Sequence, residues 1–585
     1  MKIGKTKTRI AILGGGPSGL FMYKRFIESG QSDFEIDIFE RKRQFGAGMP
    51  YSVEGANDEH ITNVSANEIP ELVTSVETWL QTLPEETLEH FHINRSHFND
   101  YKVLPRLLFG QYLSAQFDLL CEKAEKAGIV TRLHPESNVT DIADQHKLKQ
   151  VWVKLSELEI LIFDHVIICT GHHWPKRNEG KIPRYYDSPY PPAKLALRCN
   201  HAVALKGSSL TAIDAIRTLS RYNGTFSADL EGRLSFQVSE NSKDFRLVMH
   251  SRGGLLPAVR FHLRDSHLSN NSLLTPEELA QHMAANDGFL SLDFIFEKDF
   301  KEQFRDKDPE FYARIKDMDI EAFVDAMMEL REHLDPFVLL RAEYAEAEKS
   351  IRRHESVYWK EMLAVLSFAM NYPAKHFPAE DMQRLQKVLM PLISIVIAFV
   401  PQSSCEELLA LHDAGILDIV AVGSDSSIVP ETKGGATYNY TDDDGKPHSD
   451  YYKTYVDCVG QPHLSYTDFP FQTLLTEKTI SPARLRFRSA ENGKKAMDKD
   501  PDLVEQDAGG DYFLKVPGIA INDNFQVIDQ YGAYNERIYI MAVPYIGGFN
   551  PDYSGLDFCE AASKRIIATI SASEIKETQT LPPPV

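Results

Sequence analysis

Cysteines are few in this chain of 585 residues and stand far apart, at Cys121, Cys169, Cys199, Cys405, Cys458 and Cys559. No two form a C-x-x-C pair, so neither a thioredoxin-like redox couple nor a zinc site is on offer. The pattern fits a reduced cytosolic protein with buried thiols. Basic residues are also short, 63 Lys and Arg against 84 Asp and Glu, for a net charge of −21. That balance argues against nucleic acid or an anionic membrane as the main partner, leaving only local basic pockets. Long apolar runs are absent too. The most apolar stretch, Val388 to Val400, is too short to span a bilayer and contains Pro391, so it reads as a buried helix. Lysines precede the first apolar segment, as in a signal peptide, but glycines break that segment at once and no small-residue cleavage site follows. A cytoplasmic protein without membrane insertion is the expectation.

Glycine, by contrast, is concentrated where it carries meaning. A short apolar segment, Ile10 to Leu13, runs straight into Gly14, Gly16 and Gly19 and then into a helical pattern. In such a strand–turn–helix the first glycine permits the tight turn and the second lets the backbone approach a pyrophosphate. The third packs helix on strand. The anion then sits on free N–H groups at the positive end of the helix. A second strand, Phe34 to Phe39, ends at Glu40, 21 positions past Gly19, where a ribose-binding carboxylate belongs. The spacing therefore predicts a dinucleotide site.

The pattern repeats further along. Ala202 to Lys206 predicts a strand, Gly207 to Asp214 a turn into a helix, and Arg246 to His250 the next strand. An Asp444-Gly445 turn between Ala436–Thr441 and Tyr451–Val456 predicts a hairpin. It leads to a strand closing at Gly460, the counterpart of the one closing at Gly171. A proline-rich connector, Trp174 to Ala193, separates the halves. From Thr275 to Ile416 the apolar spacing is helical. Gly518 to Ile528 and Arg537 to Ala542 read as strands, followed by a helix from about Gly555 and a tail after Ile575 without regular structure. The fold class is α/β, with two Rossmann-like dinucleotide-binding domains, β-meanders and a helical insertion. The expected division is 1–195 with 513–585, then 196–274 with 417–512, and 275–416 for the insertion, a substrate or partner region.

The first turn, Glu40, the Gly46–Tyr51 loop, the stretch Pro105 to Leu113 and Cys169-Thr170-Gly171 resemble FAD/NAD(P)-binding oxidoreductases of the two-dinucleotide-binding-domain class. The similarity is to a bacterial FAD-NAD(P)-binding group, and more distantly to flavin-containing monooxygenases and amino-acid N-hydroxylases. It is strongest over 8–175 and returns at 200–260 and 450–560. The resemblance implies that Gly14, Gly16, Pro17, Ser18 and Gly19 hold the FAD pyrophosphate and that Glu40, with Arg41 beside it, holds the adenosine ribose. Val139 falls where the adenine is contacted, and Thr170 and Gly171 close over the cofactor. Asn63 resembles an asparagine near the isoalloxazine, and is the candidate catalytic residue; as a plain loop residue it would cap its own backbone. His60, Tyr51 and Ser65 are close enough in sequence to line the same pocket.

The second turn departs from pattern. Gly207 and Ser208 begin it, but Ser209 replaces the second glycine, and Thr211 and Ala212 follow. Instead of an acid, Ser251-Arg252 ends the next strand, and a guanidinium there suits a 2′-phosphate, favouring NADPH over NADH; otherwise Arg252 is a surface turn residue. Where relatives carry Gly-Asp this chain has Ala542-Val543, which leaves Gly547, Gly548 and a helix start near Ser554-Gly555 to approach the flavin. FAD and NADPH are the expected cofactors, with a small-molecule substrate, no metal and an open oligomeric state. An NADPH-dependent flavin monooxygenase, acting on an amine or amino-acid nitrogen, leads. A flavin dehydrogenase with another acceptor and a non-catalytic flavin-binding interaction protein stay open.

Overall fold

The computed structural model describes residues 7–263, 273–442, 444–549 and 555–580. In chain order, the elements that position the site begin with β1 (Thr8–Leu13), α1 (Pro17–Glu28), β2 (Phe34–Phe39), β3 (Ile61–Ser65) and β4 (Val103–Pro105). They continue with α2 (Arg106–Lys126), β5 (Val130–His134), β6 (His165–Ile168), β7 (Ala202–Lys206), α3 (Leu210–Asn223) and β8 (Arg246–Ser251). The last are α4 (Gln402–Asp413), β9 (Leu417–Ala421), β10 (Thr454–Asp457), β11 (Tyr534–Ile540) and α5 (Gly555–Thr580).

Two parallel sheets carry the architecture. The first runs β5-β2-β1-β6-β11, with Gln526–Ile528 added antiparallel at its edge. The second runs β9-β8-β7-β10, edged by Tyr185–Tyr186. Ile10, Ala11, Ile12 and Leu13 are all buried, as are Val203, Ala204 and Leu205. Both runs are apolar throughout because helices or a meander cover each face of a parallel sheet. In each sheet the order reverses beside the first strand, between β1 and β6 and between β7 and β10. In open α/β sheets ligands bind at that reversal, outside the carboxyl ends of the strands.

The insertion lies inside the crossover from β8 to β9. Between Thr275 and Ile416 it is helical apart from one bridge joining Val259 to Val400. Its packing is divided. Leu279, Phe300, Phe323, Leu366 and Leu392 join the core of the first sheet, whereas Phe337, Leu340, Cys405 and Leu408 join that of the second. The final helix, α4, is thus the ordinary crossover helix of the second sheet, so the expected insertion boundary at 416 falls too late.

Other expectations need correction. Residues expected in the second domain, Leu464 to Tyr512, pack in the core of the first sheet, with Phe469, Leu474 and Leu485 buried there. Their small antiparallel sheet of Pro482–Arg486, Val504–Gln506 and Tyr512–Ile519 feeds directly into the first sheet's closing strands. Ala436–Thr441 pairs with Pro447–Tyr452, a register set by the turn, so Thr454–Asp457 is free to enter the second sheet. The segment Gly518 to Ile528 is broken because the chain turns at Asn522 to Phe525, where the Phe525 N–H donates to the Asn522 carbonyl and Phe525 has φ +61°. The last helix runs past Ile575 to Thr580. Among the described residues no helix is long and apolar enough to cross a membrane.

The second sheet's two covering helices are bolted by charge. Arg217 on α3 donates to both carboxylate oxygens of Glu407 on α4 at 2.8 and 3.0 Å and to Ser404 at 3.0 Å. Arg221 adds bonds of 2.7 and 3.0 Å to Glu407. Burial alone would raise the Glu407 carboxyl pKa, but Arg221 and Arg217 together hold it below the ordinary value. A depressed carboxylate stabilises the fold above its unfolded pKa and loses that contribution as pH falls. Glu407→Ala leaves Arg217 buried without its counter-charge, and urea unfolding at pH 7 is expected to show a loss of about 3–5 kcal/mol. Relative to the wild type, the variant's stability should fall less steeply below about pH 4.5.

Candidate functional site

The first turn is built by close approaches that only glycine allows. Gly14 has φ +116°, and a Cβ there would stand 2.4 Å from the Cys169 carbonyl oxygen. A Cβ on Gly19 would stand 2.0 Å from the Gly14 oxygen. Gly16 lies against Gly48 (3.1 Å from a built Cβ to its Cα), and the Gly46 N–H donates to the Gly15 carbonyl at 2.7 Å. The Gly46–Tyr51 loop therefore folds directly over the turn. Pro17 opens α1, where its missing N–H costs nothing, and no side chain caps the helix. Its first N–H groups are left for an anion.

Glu40, at the end of β2, is 7% exposed. One carboxylate oxygen accepts the Gly15 N–H at 2.8 Å and the other the Lys42 N–H at 3.0 Å. Each oxygen keeps a lone pair for a ribose hydroxyl. Arg41 is exposed and pairs with Glu54 at 3.6 Å. The Ser137 N–H donates to the Glu40 carbonyl, which brings the loop carrying Val139 beside the end of β2. At the end of β6 the Thr170 hydroxyl is buried without a hydrogen-bond partner. An orphaned hydroxyl beside a glycine cradle and an uncapped helix is a donor set that fits a pyrophosphate-bearing cofactor. Ser18 has a neighbour absent from any sequence motif, the Cys559 thiol of α5 at 3.4 Å.

The second turn repeats this wiring. The Gly14 N–H donates to the Phe39 carbonyl at 2.8 Å, and the Gly207 N–H to that of His250 at 2.7 Å. Cys169 donates to Leu13 at 2.8 Å, and Cys458 to Lys206 at 2.9 Å. Gly207 has φ +104°, with a built Cβ 3.1 Å from the Cys458 oxygen, a looser fit than at Gly14. Ser209 occupies the N-cap position of α3 with its side chain exposed and uncapping, and Thr211 is half-buried on the first turn. The Ser208 hydroxyl is committed to the Leu255 carbonyl at 2.7 Å. Arg252 is exposed past the end of β8, beside a Ser251 hydroxyl that is buried without a partner. Ser251 stands in the motif where an acid normally does, and only the packed structure shows that its hydroxyl is buried without a partner. One step back, burial lowers the His250 pKa to about 4, and its ring stacks on Tyr438 at 4.2 Å.

The two chain crossings between the sheets are tied together. The Gln461 side chain accepts the His173 N–H at 2.8 Å and donates to the His173 carbonyl at 2.7 Å. The remaining expected residues scatter. Asn63 is exposed on β3 rather than in a loop, and its carbonyl accepts from Arg260. His60, Tyr51 and Ser65 do not share a pocket: His60 packs on α3, Ser65 bonds Arg260, and the Tyr51 ring meets Phe109 edge-on at 4.9 Å. Gly548 packs on the Pro517 carbonyl, 1.8 Å from a built Cβ, so that side of it faces protein. Ser554 lies outside the described residues. Among the described residues no group of three or more His, Cys, Asp or Glu could hold a metal ion.

Known proteins resemble this chain in part and in whole. Residues 11–173 match the family described as FAD-NAD(P)-binding, and residues 275–397 match the YdhS-like middle domain. The second match stops short of α4. The chain is 28% identical over 520 residues to the uncharacterized protein YdhS of Escherichia coli (strain K12), covering 87% of this chain and 90% of that one. Among solved structures, FAD-bound DfoA, a cadaverine monooxygenase of Erwinia amylovora, aligns over 97% of this chain and 95% of its own, with TM-score 0.46 and 10% identity. The bacillithiol disulfide reductase Bdr (YpdA) of Staphylococcus aureus aligns over 97% and 100%, with TM-score 0.42 and 10% identity.

Gly16→Ala and Gly19→Ala are expected to part company. Gly19→Ala drives a methyl into main chain and should lower the thermal midpoint by more than about 5 °C. Gly16→Ala meets only Gly48, 3.1 Å from the built Cβ, so it should unfold closer to the wild type yet purify with less flavin, because the loop it presses on folds over the pyrophosphate turn. Melting curves and flavin absorbance per polypeptide check both.

Proposed function

We propose that the protein is an NADPH-using flavoenzyme of monooxygenase type, acting on a small molecule in the reducing cytoplasm. The observation that carries this is the doubled switch point: Gly14 against Cys169 in one sheet, Gly207 against Cys458 in the other, with the same hydrogen bonds around each. One site for each dinucleotide is the economical reading. FAD, when bound, supplies the redox chemistry by accepting a hydride from NADPH and passing electrons onward.

The chain's own residues supply position. The Gly14–Gly19 turn and the first N–H groups of α1 take the pyrophosphate, the Thr170 hydroxyl gains the partner it lacks, and Glu40 orients the ribose. At the second turn α3 takes the NADPH pyrophosphate. Arg252 and the Ser251 hydroxyl are suited to a 2′-phosphate, the guanidinium by charge and fork geometry and the hydroxyl as donor. A dithiol relay has no support, since all six cysteines are free and none forms a C-x-x-C pair. Asn63, exposed on β3 with an amide free to act on substrate, is the residue proposed to touch the reacting groups. An amine or amino-acid nitrogen is the substrate class to test first, by resemblance to the N-hydroxylases.

Purified protein is expected to be yellow and to bleach with NADPH under argon. Rapid recolouring in air, with oxygen consumed in proportion to added amine, supports the monooxygenase. Bleaching with recolouring only by an artificial acceptor indicates a dehydrogenase, and a flavin that never bleaches indicates a binding protein. Arg252→Ala should raise the KM for NADPH about tenfold while changing that for NADH less than twofold.

A further inference from the structure

A buried polar cluster joins the two domains, and the chemistry proposed above gives it no part. Asp214, one turn into α3, is 5% exposed. Its carboxylate accepts two bonds from Arg106, the first residue of α2, at 2.5 and 3.1 Å. The Tyr190 hydroxyl donates to it at 2.6 Å. The same guanidinium donates through Nε to the Ile61 carbonyl at 2.9 Å, so it grips β3 with its other edge.

His60 completes the joint. The Asn57 N–H donates to its Nδ1 at 2.9 Å, which makes Nδ1 the acceptor and leaves the ring proton on Nε2. Nε2 then donates to the Asp214 carbonyl at 3.1 Å. Thr218, a turn further along α3, donates to Glu59 at 2.6 Å. At the far end of β3 the Arg260 guanidinium, arriving from the segment after β8, bonds the Asn63 carbonyl, Ser65 and Glu68. The strand that carries Asn63 is thus held at both ends by chain from the second domain.

A buried ion pair adds little net stability over a well-packed apolar pair, because both charges leave water. What a two-pronged guanidinium–carboxylate contact fixes is orientation. We infer that Arg106 and Asp214 are positioning residues, which set the distance and tilt of α3 against β3 and the first cofactor turn. The kinetic consequence rests on the proposed assignment of α3 to NADPH; the structural one does not. A displacement of about 1 Å between two bound reactants is enough to cost about a hundredfold in rate.

The test uses the full chain loaded with FAD, with spin labels at Leu158→Cys and Leu230→Cys, both fully exposed and one on each domain. Asp214→Asn removes the charge and Arg106→Lys keeps it without the fork. Tyr190→Phe deletes one bond and serves if either of the others fails to fold. Each variant is expected to broaden or shift the label distance, least in Tyr190→Phe. The limiting rate of flavin reduction at saturating NADPH should fall at least tenfold in Asp214→Asn and Arg106→Lys, with the NADPH dissociation constant changed less than threefold. An unchanged label distance overturns the inference, as does a rate loss that disappears once rates are expressed per bound flavin. If NADPH fails to reduce the wild-type flavin, the proposed function falls, and the label distances alone still decide the positioning role.

Discussion

The approach of two carbonyl-bearing strand ends to two glycines governs this molecule. Gly14 accepts the Cys169 carbonyl at a separation no side chain would allow, and Gly19 does the same for the Gly14 carbonyl. Through those contacts β6 lies against β1 with its end level with the turn, and α1 lies close enough to the strand to aim its N-terminus at the reversal. The Gly46–Tyr51 loop, the end of β2 with Glu40, and the start of α5 at Cys559 all gather on that point. Gly207 and Cys458 repeat the arrangement with a little more room. Enlarging either glycine would separate strands as well as close a site, so folding and binding share one constraint.

The helical insertion looks like an appended domain in the sequence but is not packed as one. Part of it completes the first core and part the second, and the helix that ends it belongs to the second sheet. Together with the Gln461 clamp and the cluster around Asp214, this makes the domain boundary a well-bonded interface. Polar bonds with fixed direction cross it, Arg106 to Asp214 and Gln461 to His173, and such bonds oppose sliding of one domain on the other.

Much of this was legible in the chain itself, for identifiable reasons. Strand–glycine–helix units are local, so both turns, the strands ending at Glu40 and Gly171, and the Asp444-Gly445 hairpin could each be read within a window of about thirty residues. Register and partnership were less accessible. Tyr451, Tyr452 and Tyr455 give an apolar pattern straight across the boundary, so the expected strand Tyr451–Val456 runs several residues past the paired one, Pro447–Tyr452. The allegiance of Leu464 to Tyr512 depends on contacts with strands far away in sequence. The Arg106–Asp214 and Arg260–Glu68 pairs are separated by |i−j| of 108 and 192. No local spacing rule links such residues, and each alone reads as a surface charge. Ser251 and Thr170 were visible by position, but that their hydroxyls lack partners is a property of the packed structure.

The order of strands in the first sheet bears on how the chain comes to be folded as it is made. β6 emerges early, but the strand that covers its free edge, β11, is near the end, after the whole second domain and the insertion. Until then the Val166–Ile168 edge presents unpaired peptide groups on an apolar ribbon, the kind of template that recruits other strands. Domains fold from the N-terminus during synthesis, and such waiting intermediates are where aggregation begins. The long excursion between β6 and β11 therefore makes assembly of the first sheet a matter of timing, with the β6 edge dependent on residues translated long after it.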